Sequence, residues 1–275
     1  MSLYVVIGEG IMPQIKMCVC IKQVPGTSEV GVDENGSLIR DNIDTKMNPF
    51  DLYAIETALR IKETLGASDI RVISMGPPQA EEVIREAFMM GADAGALLTD
   101  KRFAGSDVLA TSYTLSQGIK KYPFDLIICG KQTTDGDTAQ VGSEIAEFLG
   151  IPHVTNVKKI LQITGISLIV EMDLPDVVQV VEIPFPCLIT VDKDIYQPRL
   201  PSFKRKLETK GKSVDKITLN DFEDKESLHY GLKGSATKVQ RVFPPVSNTS
   251  RETWKGDPKE LALKLHAKLK EKKFY

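Results

Sequence analysis

Short apolar runs alternate along the first two-thirds of the chain with stretches whose apolar positions repeat every three or four residues. These two periods separate buried strands from amphipathic helices. Residues 17–24 read as a strand ending at the breaker pair Pro25-Gly26, and 30–40 as a short hairpin around the turn dipeptide Asn35-Gly36. A helix opens at Asn48-Pro49-Phe50-Asp51, where Asn caps, Pro suits the first helical position and Asp51 opposes the helix dipole. Its apolar face is Leu52, Ile55, Leu59 and 61–65, and Gly66 ends it. Strands follow over 70–75, 96–99 and 125–129. Between and after them come helices over 79–90, from Ser106-Asp107 to about residue 120, and over 138–149. A further short strand begins at 151–154.

This rhythm implies an α/β fold: a Rossmann-like, doubly wound, mainly parallel sheet with helices on both faces. Ligands of such folds sit outside the carboxyl ends of the strands, where the strand order reverses. Beyond residue 157 the pattern changes. Residues 159–170 and 177–182 read as a β-hairpin pair, and 187–191 as a final strand after Pro184-Phe185-Pro186. From Arg199 to Lys216 there are seven Lys/Arg (199, 204, 205, 206, 210, 212, 216) against Glu208 and Asp215, with little apolar periodicity. Residues 217–256 are turn-rich. A last amphipathic helix opens at Asp257-Pro258-Lys259-Glu260 and carries Leu261, Leu263, Leu265 and Leu269.

The segment richest in chemistry is 130–142, Gly-Lys-Gln-Thr-Thr-Asp-Gly-Asp-Thr-Ala-Gln-Val-Gly, directly after the apolar run 126–129. A buried strand, a loop dense in Gly, Thr and Asp, and then a helix is how α/β folds build anion sites, with free N–H groups and the positive helix end facing the ligand. It is neither GxGxxG nor a Walker loop, since no Lys-Ser/Thr follows the second Gly. Its acidic residues argue against a bare phosphate cradle and for a ligand that also offers hydroxyls or a base edge.

Composition narrows the classes. A net charge of −2 implies neither nucleic acid nor a membrane surface as partner. No apolar stretch approaches the ~18 residues of a membrane span. Residues 1–15 lack the basic start and small-residue cleavage site of a signal peptide and read as an N-terminal extension, so a cytoplasmic protein is expected. Cys18, Cys20, Cys129 and Cys187 read as structural thiols, three of them in strand-like runs. His153, His229 and His266 form no metal-binding spacing.

Several motifs occur in a fixed order: Cys18-Val19-Cys20-Ile21-Lys22-Gln23-Val24-Pro25, Met47-Asn48-Pro49-Phe50, Ser74-Met75-Gly76-Pro77, Met90-Gly91-Ala92-Asp93, Gly130-Lys131-Gln132, Asp135-Gly136-Asp137 with Gln140, and Gln197-Pro198-Arg199. Together they resemble the beta subunit of electron-transfer flavoproteins over nearly the whole chain from Met17. The resemblance implies a heterodimer with an alpha subunit whose mobile domain carries a redox FAD. It further implies a beta-subunit domain that holds an adenine nucleotide, AMP in the respiratory members. Matching positions imply nucleotide contacts from Cys20, Asn48, Ser74, Met75 and the loop residues Asp135, Gly136, Asp137, Thr138, Ala139, Gln140 and Val141. Phe50 matches an aromatic near the alpha-subunit flavin. The expected organisation is an extension over 1–15, a nucleotide-binding α/β domain over 16–198, and a recognition loop with a C-terminal arm over 199–275 that wraps another subunit or packs on its own domain.

Departures from the family pattern carry information. AMP-binding members have Asp-Asp-Asp-Cys-Asn-Gln-Thr where this chain runs from Asp135 to Val141, with Gly136 for Asp and Ala139 for Asn. Both changes remove bulk, one removes charge, and Gly lets backbone approach a ligand closely. With residues 103–113, this resembles the electron-bifurcating branch, whose beta site holds a whole FAD that takes hydride from NADH. Gly105-Ser106-Asp107 opens a helix whose N–H groups suit a pyrophosphate, with hydroxyls at Thr111, Ser112 and Tyr113. The bland alternative makes Asp107 an ordinary cap and Thr111 and Ser112 helix surface. Residues 199–205 match the family's recognition loop, in which an apolar anchor docks onto an acyl-CoA dehydrogenase. Phe203 stands at the anchor position, typically Leu, with Leu200 nearby. Expected partners are therefore an alpha subunit and an acyl-CoA dehydrogenase or enoyl-CoA reductase. The alternatives are a respiratory-type carrier with structural AMP and a stand-alone nucleotide-binding or sensing domain.

Overall fold

The structure, a computed structural model, describes the backbone of residues 4–5 and residues 14–26, 44–66, 68–240 and 251–274 in full. They divide into two units, one up to residue 240 and the other over 251–274.

The strands of the larger unit are β1 (Tyr4–Val5), β2 (Lys16–Cys20), β3 (Gln23–Pro25), β4 (Thr45–Met47), β5 (Asp69–Met75), β6 (Ala94–Leu98), β7 (Leu126–Gly130), β8 (His153–Ile163), β9 (Ser167–Asp173), β10 (Val178–Pro184), β11 (Cys187–Val191) and β12 (Asp215–Ile217). Its helices are α1 (Pro49–Leu65), α2 (Glu81–Met90), α3 (Val108–Ile119), α4 (Val141–Leu149), α5 (Phe203–Glu208) and α6 (Gly231–Gly234). Ten strands form one sheet in the order β10-β9-β8-β11-β7-β2-β5-β6-β12, with β1 beside β8. Only the β8/β9 and β9/β10 pairs are antiparallel in it. The remaining pair, β3 and β4, is a separate antiparallel ribbon.

Strand alternation sorts the core into two layers. Met17, Val19, Leu126, Ile128, Ile189 and Val191 join the α1 and α2 side chains on one face. Cys18, Cys20, Ile127, Cys129 and Leu188 join those of α3 and α4 on the other. Central strands buried on both faces read as continuous apolar runs, and the sheet is doubly wound as the alternation implies.

Three elements differ from the sequence reading. The strand over 17–24 stops at Cys20: Ile21 N–H makes the last bond to β5, at Ile73 O, and Lys22 N–H leaves the sheet for Asp51 Oδ2 before the ribbon begins. The hairpin pair over 159–170 and 177–182 is a three-stranded meander. The Thr164 hydroxyl accepts the N–H groups of Ile166 and Ser167 and folds the chain back at Gly165. The helix over 138–149 starts only at Val141, since Asp137 and Ala139 are left-handed, with φ of 53° and 55°. The hairpin read at 30–40 lies outside the described residues.

Past Arg199 the chain builds on its own sheet. β12 extends the edge beyond β6, and Leu219, Phe222 and Tyr230 are buried around Phe103, whose ring stacks on Phe222 at 5.6 Å. In the smaller unit Asp257 caps α7 (Pro258–Glu271) by accepting from Lys259 and Glu260 N–H, and Lys264 Nζ lies 4.4 Å over the Trp254 ring. No helix among the described residues is long and apolar enough to cross a membrane.

Candidate functional site

The chain runs from β2 outward to β5 and β6, then returns to the other side of β2 to form β7. The order therefore reverses between β2 and β7, where Cys20 pairs with Cys129. The carboxyl ends of these strands are the ordinary ligand position of the fold. Three segments meet there: Ile21-Lys22 after β2, the start of α1, and the loop after β7.

Asn48 and Asp51 join them. Asn48 is fully buried, and its Nδ2 donates both to Asp51 Oδ1 (2.9 Å) and to Gln132 O (2.9 Å). Its Oδ1 accepts Thr134 N–H at 3.2 Å. Asp51 Oδ2 accepts Lys22 N–H at 2.7 Å. The Lys22 ammonium in turn reaches both Asp135 oxygens at 2.8 and 2.7 Å. Burial pushes the Asp51 carboxyl up to about 8, despite the bonds from Asn48 and Lys22 that favour its ionised form. Gly130 is required beside it, since a Cβ there would lie 2.5 Å from Asp51 Oδ1 and 2.8 Å from the Phe50 carbonyl carbon. Asn48 thus spends its amide on holding the loop.

Beyond this anchor, residues 134–140 are exposed. Gln132 Nε2 donates to Asp137 Oδ1 at 2.6 Å, and Asp137 N–H to Thr133 O at 2.9 Å. α4 begins with no side-chain cap, so its first N–H groups face the loop side unprotected by any carboxylate or hydroxyl. Gly142 lets this end settle on β11, where a Cβ would come within 2.5 Å of Thr190 Cγ2. Among the described residues only Ser74 Oγ and Glu144 Oε2 are buried side-chain polar atoms without a partner. Ser74 lies at the carboxyl end of β5, and Met75 ends that strand.

The α3 residues are arranged differently. Asp107 caps α3 through Ala110 N–H (3.0 Å) and also accepts Thr237 N–H (2.8 Å) and Oγ1–H (2.9 Å). Ser112 is buried and donates to Val108 O at 2.8 Å, while Thr111 is half-buried. No hydrogen bond among the described residues joins these three to the 134–141 loop. In the segment after Arg199, Leu200 and Phe203 are 87% and 73% exposed.

All four cysteines are free and buried. Hydrogen bonds from Cys129 and Cys18 hold the Cys20 thiol below its usual range. No group of three or more His, Cys, Asp or Glu among the described residues is placed to hold a metal ion. Lys22 and Asp51 belong to the site's framework although motif reading gave neither a role in it, while Gln132 and Thr133 pin the loop from within the 130–142 segment. Asp51 looks like an ordinary dipole-opposing residue, and Lys22 is hidden inside an otherwise apolar motif. Only the tertiary approach of β7 makes them neighbours.

A doubly wound sheet with a pinned polar loop and an uncapped helix over its switch point defines a Rossmann-like α/β protein. The profile of the electron transfer flavoprotein domain matches residues 35–222. The chain is 45% identical over 258 residues to the electron transfer flavoprotein subunit beta of Thermoanaerobacterium thermosaccharolyticum, covering 93% of this chain and 98% of that one. It is 41% identical to the caffeyl-CoA reductase-Etf complex subunit CarD of Acetobacterium woodii (94% and 99% covered). To the acryloyl-CoA reductase electron transfer subunit gamma of Anaerotignum propionicum it is 38% identical (94% and 99% covered). The chain belongs to the electron transfer flavoprotein beta-subunit family.

Proposed function

We propose that this subunit holds an adenine nucleotide, FAD in preference to AMP, over the β2/β7 switch point. Paired with an electron transfer flavoprotein alpha subunit in the cytoplasm, it passes electrons between NADH and an acyl-CoA dehydrogenase or enoyl-CoA reductase by flavin-based bifurcation. The observation that carries the reading is the loop itself: small residues at Gly136 and Ala139, anchored through Asn48, leading into the uncapped start of α4. The unpartnered Ser74 hydroxyl at the same sheet edge fits a ligand with hydrogen-bonding groups. Relatives whose names refer to caffeyl-CoA and acryloyl-CoA reductases support the reductase partner.

In this reading Asp135 to Val141, with Cys20, Ser74 and Met75, hold and orient the nucleotide, Asn48 acts through the loop it pins, and the start of α4 receives phosphate charge. Lys22 neutralises Asp135, so the loop does not present that carboxylate to the phosphates. Asp107, Thr111 and Ser112 support α3 beside the site, and Phe50 faces the alpha-subunit side. FAD, when bound, supplies hydride acceptance and one-electron transfer, while the protein supplies position and electrostatics. Leu200 and Phe203 dock the partner, helped by the flanking lysines and arginines.

Co-expression with an alpha subunit, followed by denaturation and identification of released nucleotides, tests this. FAD from both subunits and NADH oxidation by the purified heterodimer are expected. AMP alongside a single FAD identifies the respiratory-type carrier instead, and a stable monomer without either identifies a stand-alone nucleotide domain.

A further inference from the structure

Arg199 stands immediately before the exposed Leu200, yet its side chain runs inward to α1. Its Nε and Nη2 bind Glu56 Oε2 and Oε1 at 2.7 and 3.0 Å, and its own N–H reaches Glu56 Oε2 at 3.1 Å. Nη1 pairs with Glu63 at 2.8 Å, and Arg60 closes the other side of Glu56 at 2.8 Å. The Glu56 side chain has no exposed surface. Burial raises its pKa, but the hydrogen bonds from Arg199 outweigh that and keep the carboxyl below its usual range. A forked, two-point grip of this kind fixes direction as well as distance.

The other end of the segment is also held. Ser202 N–H donates to Met89 O at 3.1 Å, and the Ser202 hydroxyl caps α5 by accepting Arg205 N–H. Gly91 leaves space that brings the Arg205 guanidinium within 3.3 Å of its missing Cβ. On this segment Leu200, Phe203 and Leu207 project into solvent, all at least 63% exposed, among Lys204, Arg205 and Lys206. The three apolar side chains themselves make no use of this grip in the isolated chain. The segment gains preorganisation for a partner, because the ordering is done before docking.

We infer that Arg199, through its grip on Glu56, is a positioning residue that sets the docking segment for the dehydrogenase or reductase partner. The inference rests on the docking role of Leu200 and Phe203 proposed above. Arg199→Ala strands a buried carboxylate and risks misfolding, so the informative variant is the apolar pair Glu56→Leu/Arg199→Met, which leaves no unpaired charge in the core.

The heterodimer with its alpha subunit is compared as wild type, the apolar pair, and Leu200→Ala/Phe203→Ala, with a purified acyl-CoA dehydrogenase that exchanges electrons with the wild-type heterodimer as the partner probe. For the apolar pair, tryptic cleavage within 204–210 is expected to quicken about tenfold, since cleavage tracks local opening. The KM for the dehydrogenase is expected to rise about tenfold with kcat and bound nucleotide unchanged, the signature of lost preorganisation. An unchanged KM in the folded apolar pair overturns the inference whatever the cleavage rate. If Leu200→Ala/Phe203→Ala also leaves KM unchanged, the docking role itself has failed. If only that double variant raises KM, docking stands and Arg199 is merely structural.

Discussion

At Asp51 the fold keeps a carboxyl 5% exposed between two donors, the Lys22 N–H and the Asn48 amide. Burial wins over both and lifts its pKa to about 8, against an unfolded value of about 3.9. Between those values the folded chain keeps a proton that the unfolded chain has released. Stability from this group is therefore present in acid and is lost as pH rises across the window. Asp51→Asn cannot titrate, so its thermal midpoint should fall less than the wild-type midpoint between about pH 5 and pH 8. The comparison cancels groups shared by both proteins, and parallel declines would show that Asp51 is ionised throughout. Nothing in the sequence marks this residue out. Its position after Asn48-Pro49-Phe50 explains a helix start, and only the approach of Gly130 and Lys22 turns a surface cap into a buried hub.

The loop between β7 and α4 shows how an element's boundary follows from backbone geometry. Hydrophobic pattern sets the body of α4, with Ile145 and Ala146 buried. It does not locate the start, because Thr138, Ala139 and Gln140 are compatible with either state. The left-handed backbone at Asp137 and Ala139 decides it. Asp tolerates that region, whereas Ala pays for it, by about 1–2 kcal/mol per residue. Ala139→Gly should accordingly stabilise the protein by about 1 kcal/mol in chemical denaturation, and a destabilisation would mean that the Ala139 methyl packs on a neighbour. Asn also tolerates the conformation, so Gly136→Asp/Ala139→Asn is accommodated by the backbone while restoring the residues of AMP-binding relatives. Nucleotide released from that double variant should shift from FAD towards AMP. Unchanged FAD content would leave these two positions without a role in the choice. Motif order alone groups Cys20, Asn48 and residues 135–141, and the fold joins Asn48 to that loop through Gln132 O and Thr134 N–H. The different setting of Asp107, whose carboxylate is taken up by Ala110 and Thr237, depends on a contact 130 residues away that no local pattern records.

For the molecule as a whole, the α/β alternation was readable because central strands buried on both faces must be short continuous apolar runs between amphipathic helices. The segment after Arg199 was not, since its core residues Ile217, Leu219, Phe222 and Tyr230 follow neither a strand nor a helix period. They are held instead by turns: Asp221 closes a capping box with Thr218, and the Tyr230 hydroxyl donates to Asp224 O at 2.7 Å. These residues cover Phe103, and β12 covers the β6 edge. A chain ending at residue 198 would expose that apolar face and leave an unpaired parallel edge, a template for aggregation. A chain ending at residue 240 keeps the larger unit intact, together with the Asn48–Asp51 anchor of the loop. The shorter chain should therefore be insoluble or elute as aggregate. The longer one should give a cooperative thermal transition by circular dichroism. Cooperative unfolding of the chain ending at 198 would instead show that the sheet closes without β12, making residues 199–240 an addition to a finished domain.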